Sequence, residues 1–170
     1  LRLALPKAPS FAFYAGQYVD LLLPGNISRS YSIANSPDQE GVLELHIRKR
    51  ENGVCSEMIF GAEPKIKEKG IVRVKGPLGT FTLQKDNDKP IILLATGTGY
   101  APIRSILLDL IHQNSERPVH FYWGARQQED LYALEEAEAL IGRLKNAKFS
   151  PVLSKPDSSW KGENGYVQNV

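Results

Sequence analysis

Two short runs in this chain carry side chains and backbone suited to holding cofactors. Arg29-Ser30-Tyr31-Ser32 offers a guanidinium for phosphate, a phenol ring that can stack on a planar heterocycle, and two hydroxyls. Gly97-Thr98-Gly99-Tyr100-Ala101-Pro102 follows the apolar run 91–95. It is a turn whose glycines allow close backbone approach or positive φ, and whose Pro102 suits the first turn of a helix. The free amides of such a helix start make a seat for a pyrophosphate. Two candidate cofactor sites in one chain point to the passage of electrons between two bound groups.

Each motif alone is ambiguous. The turn is not the dinucleotide fingerprint GxGxxG, because Pro102 stands at the third glycine's place, and it lacks the lysine of a Walker loop. A glycine turn between strand and helix is as readily structural. In the tetrad, strand alternation puts Arg29 and Tyr31 on one face and Ser32 on the other, so a shared site needs the strand to end or twist near Ser32. From the tetrad alone, a packed tyrosine beside a surface arginine is the simpler account. Arg126, in Trp123-Gly124-Ala125-Arg126, fits either a ligand's phosphate or ribose or an ion pair with Glu129 or Asp130.

The elements that must position these residues change character midway. Before about Phe81 the pattern is of strands: 18–23, 29–34 and 41–48, separated by Pro24-Gly25-Asn26 and Ser36-Pro37-Asp38, then 71–74 and 80–83 about a tight turn at Gly76-Pro77-Leu78-Gly79. A six-stranded antiparallel barrel is expected, with one short helix at 55–60. From Lys89 the order becomes strand 91–95, a helix carrying Ile103, Ile106, Leu107, Leu110 and Ile111, strand 119–123, helix 131–144 and strand 149–153. Such units specify a parallel sheet covered by helices, with 91–95 buried on both faces. The expected domains are 1–84 and 89–170, and ligands of the second should collect at the carboxyl ends of its strands.

With 170 residues the chain can bury a substantial core. Its 21 Lys plus Arg against 19 Asp plus Glu give a net charge of +2, no basis for a nucleic-acid partner, and Arg48-Lys49-Arg50 reads as a solvated edge. The single Cys55 rules out an intrachain disulfide, and no metal site is expected. No apolar stretch is long enough for a membrane span, and the expected location is cytoplasmic. The chain reads as truncated at both ends.

In combination, Ala15-Gly16-Gln17-Tyr18, the tetrad with Ile33-Ala34-Asn35, Gly76 to Gly79, Gly97 to Pro102, and Tyr122 to Arg126 with Asp130-Leu131-Tyr132 resemble the ferredoxin-NADP reductase superfamily over essentially the whole chain. The likeness is greatest to its bacterial NAD(P)H-flavin reductases and CDP-6-deoxy-hexulose dehydrase reductases. It implies an FAD-binding barrel followed by an NAD(P)-binding α/β domain. It implies that Arg29 meets the flavin phosphate, Tyr31 packs on the isoalloxazine, and Ser32 lies near the nitrogen that receives hydride. Asn52, Gly53, Val54, Cys55 and Ser56 would meet the FAD diphosphate, with His46 and Arg48 beside the flavin or its adenosine. Thr98 would lie near the nicotinamide, and Gly97, Gly99 and Arg126 along the dinucleotide. The implied enzyme passes hydride from NAD(P)H to FAD and electrons onward to an iron-sulfur centre, on an acceptor protein or a fused ferredoxin domain. The alternatives are reduction of free flavin and a non-catalytic flavin-binding redox module. The family's cysteine-glycine-proline segment, its carboxy-terminal acidic and aromatic residues and any [2Fe-2S] ferredoxin domain are not in this sequence. Gln127, Gln128 and Glu129 supply no second cation for a 2′-phosphate, which leans toward NADH.

Overall fold

A computed structural model describes residues 1–8, 10–84 and 88–170. The N-terminal half holds five strands, β1 (Arg2–Ala4), β2 (Tyr18–Leu23), β3 (Ile27–Ser32), β4 (Val42–Glu44) and β5 (Arg73–Leu78), and the helix α1 (Val54–Phe60). All pairings are antiparallel: β1 with β4, and β3-β2-β5 in a second sheet. A single bridge from Ile33 to Leu45 joins them. Alternation along β2 sends Val19, Leu21 and Leu23 inward, where they meet Ile33, Leu43, Leu45, Cys55 and Met58. The β2–β3 hairpin turns at Gly25 and Asn26, both at positive φ.

The expected six strands are five among the described residues, because the Gly76 to Gly79 turn is not a turn. Gly76, Pro77 and Leu78 continue β5, and Gly76 and Pro77 together lie opposite Val19 as a bulge between the pairs Tyr18–Leu78 and Asp20–Lys75. A Cβ on Gly76 would stand 2.8 Å from a Val19 methyl, so the approach requires glycine. Proline is tolerated because β5 is an edge strand. Thr80 to Leu83 is consequently no strand, and the expected strand 41–48 shortens to β4.

The C-terminal half is a parallel sheet in the order β6 (Ile91–Thr96), β7 (Val119–Ala125), β8 (Ala147–Leu153) and β9 (Glu163–Asn164). Helices α2 (Tyr100–His112) and α3 (Leu134–Gly142) pack on the face formed by Ile91, Leu93, Ala95, Phe121 and Trp123. The expectation that 91–95 is buried on both faces fails: Ile92 and Leu94 are 67% and 49% exposed, because both helices lie against the opposite face. The expected helix 131–144 begins three residues late, after a 3-10 turn at Gln128–Asp130. The expected domain boundary falls partly outside the described residues. Among the described residues, no helix is long and apolar enough to cross a membrane.

Candidate functional site

Three adjoining clefts lie between the halves, and Arg48 and Thr98 line all three. The largest, about 610 Å³, is bounded by Arg29 to Ser32, by His46, Arg48 and Arg50, by Asn52 to Ser56, and by Thr98 and Gly99. Strand β3 ends at Ser32, which relaxes the alternation and lets Arg29, Tyr31 and Ser32 border one space. Tyr31 is half-buried and its hydroxyl donates to Cys55 Sγ at 2.9 Å, fixing the ring against the α1 entry. Burial, with the hydrogen bond to Cys55, holds this phenol far above the ordinary tyrosine range, so it stays protonated. Ser56 Oγ accepts the Arg50 amide at 2.8 Å and closes the loop between them.

A second cleft, about 390 Å³, lies at the carboxyl edge of the parallel sheet and includes Gly97, Gly124, Arg126 and Arg50. Gly97 and Gly99 enter α2 as a 3-10 turn. Gly97 has φ +49°, and a Cβ there would find no atom within 4 Å; one on Gly99 would meet Ala95 Cβ alone, at 3.8 Å. The chain does not fill the space over this turn, so the glycines leave room for a ligand. Gly124 differs, because its Cβ position is 2.9 Å from Val167. The close approach at Gly124 is made by this chain's own C-terminal turn.

The third cleft, about 480 Å³, runs past His46 and Arg48 to Asp130 and Tyr132. His46 Nδ1 is 2.7 Å from the Tyr132 hydroxyl and Arg48 pairs with Asp130 Oδ1 at 3.0 Å, so both barrel residues reach across to the α/β half. Burial, reinforced by Arg104, holds His46 below its ordinary pKa against the pull of Glu44. Asp130 therefore serves Arg48, and Arg126 makes no ion pair among the described residues.

Arg29, Tyr31, Ser32, His46, Arg48, Gly53, Val54, Cys55, Ser56, Thr98 and Gly99 thus border one space, with Gly97 and Arg126 in the adjoining one. Sequence reasoning missed Arg50, which joins Arg48 in two clefts; the two-residue spacing in an extended segment was the available signal. It also missed Trp123, whose Nε1 donates to the Gly97 carbonyl at 3.1 Å. The residues present fit a flavin dinucleotide and a nicotinamide dinucleotide: cations at Arg29, Arg48, Arg50 and Arg126, a ring at Tyr31, and open glycine backbone at 97 and 99.

The oxidoreductase FAD-binding domain family matches residues 1–83, and the oxidoreductase NAD-binding domain family matches residues 93–170. The chain is 43% identical to the CDP-6-deoxy-L-threo-D-glycero-4-hexulose-3-dehydrase reductase of Yersinia pestis, over all 170 residues and 50% of that protein. It is 35% identical to the NAD(P)H-flavin reductase of Vibrio harveyi, over 95% of this chain and 69% of that one. The crystal structure of the Amycolatopsis cytochrome P450 reductase GcoB matches 99% of this chain and 51% of its own at 35% identity, with a TM-score of 0.81. The chain spans about half the length of the first curated relatives it matches. With both domain families in order, and a third of its residues shared with a flavin reductase of which it covers more than two thirds, the chain belongs to the ferredoxin-NADP reductase superfamily.

Proposed function

We propose that this chain is the cofactor-binding part of an NAD(P)H-dependent flavoprotein reductase, with residues 1–84 holding FAD and residues 89–170 holding the nicotinamide dinucleotide. The observation that carries the reading is that Thr98, from the glycine turn, borders the same cleft as Tyr31 and Ser32. Bound FAD would supply two-electron redox chemistry, taking one hydride from NAD(P)H and giving up its two electrons one at a time.

The chain's own task is orientation. Arg29 neutralises phosphate, Tyr31 packs against the flavin ring, and Ser32 offers a hydroxyl to its reacting edge. The entry to α1, Gly53 to Ser56, faces the diphosphate, with His46 and Arg48 alongside. Gly97, Gly99 and Arg126 line the path of the dinucleotide, and Thr98 meets its nicotinamide end. Transfer needs donor and acceptor atoms roughly 3–3.5 Å apart, so orientation rather than acid–base chemistry decides the rate.

The electron acceptor in this reading is an iron-sulfur centre on a fused ferredoxin-like domain or a partner protein. It would lie outside this segment, since among the described residues no group of His, Cys, Asp or Glu could hold a metal ion. A second reading, reduction of free flavin, is favoured by the similarity to the Vibrio harveyi NAD(P)H-flavin reductase. Reliance on NAD(P)H and the lone free thiol of Cys55 support cytoplasmic residence. Anaerobic mixing of the FAD-loaded protein with NADH or NADPH tests the activity, through bleaching of the flavin band. Adding a ferredoxin or free flavin then separates the two acceptors.

A further inference from the structure

Arg104 borders none of the three clefts, yet it joins the elements that do. It stands on the first turn and a half of α2, with its side chain 15% exposed. Its Nη1 donates to the Ala34 carbonyl at 2.8 Å, two residues beyond Ser32. Its Nε and Nη2 hold Glu136 Oε1 at 2.9 and 2.8 Å, and Glu44 Oε1 lies 3.8 Å from Nη1. Ser105 adds a second strut, donating to the Asn35 carbonyl at 2.7 Å, with both residues fully buried. On the barrel side this segment cannot drift. Ala34 N donates to the Glu44 carbonyl, and the Asn35 side chain donates to the Val42 carbonyl and accepts from Glu44 N.

The other end of the linkage reaches the glycine turn. Glu136 Oε2 accepts the Tyr100 hydroxyl at 3.2 Å, Tyr100 stacks on Trp123 at 4.3 Å, and Trp123 holds the Gly97 carbonyl. One chain of contacts therefore runs from the end of the tetrad strand through Arg104, Glu136, Tyr100 and Trp123 to the nucleotide turn. Its only cation is planar, with donors on separate edges that serve both halves at once; a lysine has one point to offer.

We propose that Arg104 is a positioning residue for hydride transfer, setting the separation of the flavin strand and the nucleotide turn without touching either cofactor. This rests on the proposed reductase function. It predicts a loss in the transfer step rather than in binding, since each cofactor's own contacts stay intact.

The test compares the full-length protein with its Arg104→Gln and Arg104→Lys variants, each loaded with FAD. The measurements are dissociation constants for FAD and NAD⁺, the rate of flavin bleaching at saturating NADH, and the long-wavelength absorbance that appears when nicotinamide stacks on flavin. The expected result is a roughly ten- to hundredfold slower bleaching and a weakened stacking band, with both constants within about threefold of wild type. Arg104→Lys keeps the buried cation and so remains informative should the glutamine variant not fold. It is expected to stay slow, because a compact ammonium replaces a planar fork whose separate edges meet Ala34 and Glu136. A wild-type rate in Arg104→Lys overturns the positioning role, and so does a loss of binding in proportion to the loss of rate. If the wild-type flavin is not bleached by NADH or NADPH, the functional reading falls and this inference with it.

Discussion

Trp123 Nε1 donates a 3.1 Å hydrogen bond to the carbonyl oxygen of Gly97, so a fully buried residue of β7 holds the turn that follows β6. The turn's conformation is thereby built into the core. Trp123→Phe removes the donor and leaves a small void beside Tyr100. It should destabilise the protein by about 1–3 kcal/mol and weaken nicotinamide dinucleotide binding. Urea denaturation and nucleotide titration of the same variant check both effects.

Arg29 is exposed, and its guanidinium reaches the Ser28 carbonyl next to it at 2.7 Å. Its removal should leave folding stability within about 0.5 kcal/mol, as for other surface substitutions. If it meets the flavin phosphate, Arg29→Ala should weaken FAD binding by about 1.5–3 kcal/mol, the range of a hydrogen bond to a charged group. Fluorescence titration of FAD into the folded variant measures this.

Gly99 has φ −60°, which any residue adopts, and a methyl there meets Ala95 Cβ at 3.8 Å in ordinary contact. Gly99→Ala should therefore raise stability by about 0.4–1 kcal/mol through the unfolded chain. Gly99 lines the largest cleft, so the added methyl should lower nucleotide affinity. Opposite signs in thermal unfolding and nucleotide titration are the expected pair of results.

His46 titrates below its ordinary value of 6.5, first because it is buried and then because Arg104 is near. Below that pH the unfolded chain binds this proton more readily than the folded one, so stability rises with pH there. As the pH falls from 6.5 through the lower folded value, this contribution is lost. Urea unfolding between pH 5 and 8 should show a shallower pH dependence for His46→Gln than for wild type.

The local conformation around the candidate sites was legible in sequence because it is carried by short runs. The tetrad, the glycine turn and the Pro24-Gly25-Asn26 hairpin each declare a backbone conformation within a few residues. What the sequence concealed depends on partners far along the chain. Gly76 and Pro77 have turn composition, but pairing with β2, more than fifty residues earlier, draws them into a bulged edge strand. Ile92 and Leu94 have the composition of a doubly covered strand, yet whether a helix lies on their face is decided by the path of the chain beyond them. Arg104 and Ala34 are 70 residues apart, and nothing in either neighbourhood points to the other.

The central claim is that Tyr31, Ser32 and Thr98 border one space so that a nicotinamide and a flavin can meet there. Its most direct test is anaerobic rapid mixing of the FAD-loaded, full-length protein with NADH and, separately, with NADPH, following the flavin band. The account predicts that at least one of the two bleaches the flavin in a single-turnover phase whose rate saturates with nucleotide concentration. A flavin that stays oxidised while equilibrium dialysis shows the nucleotide bound would contradict it.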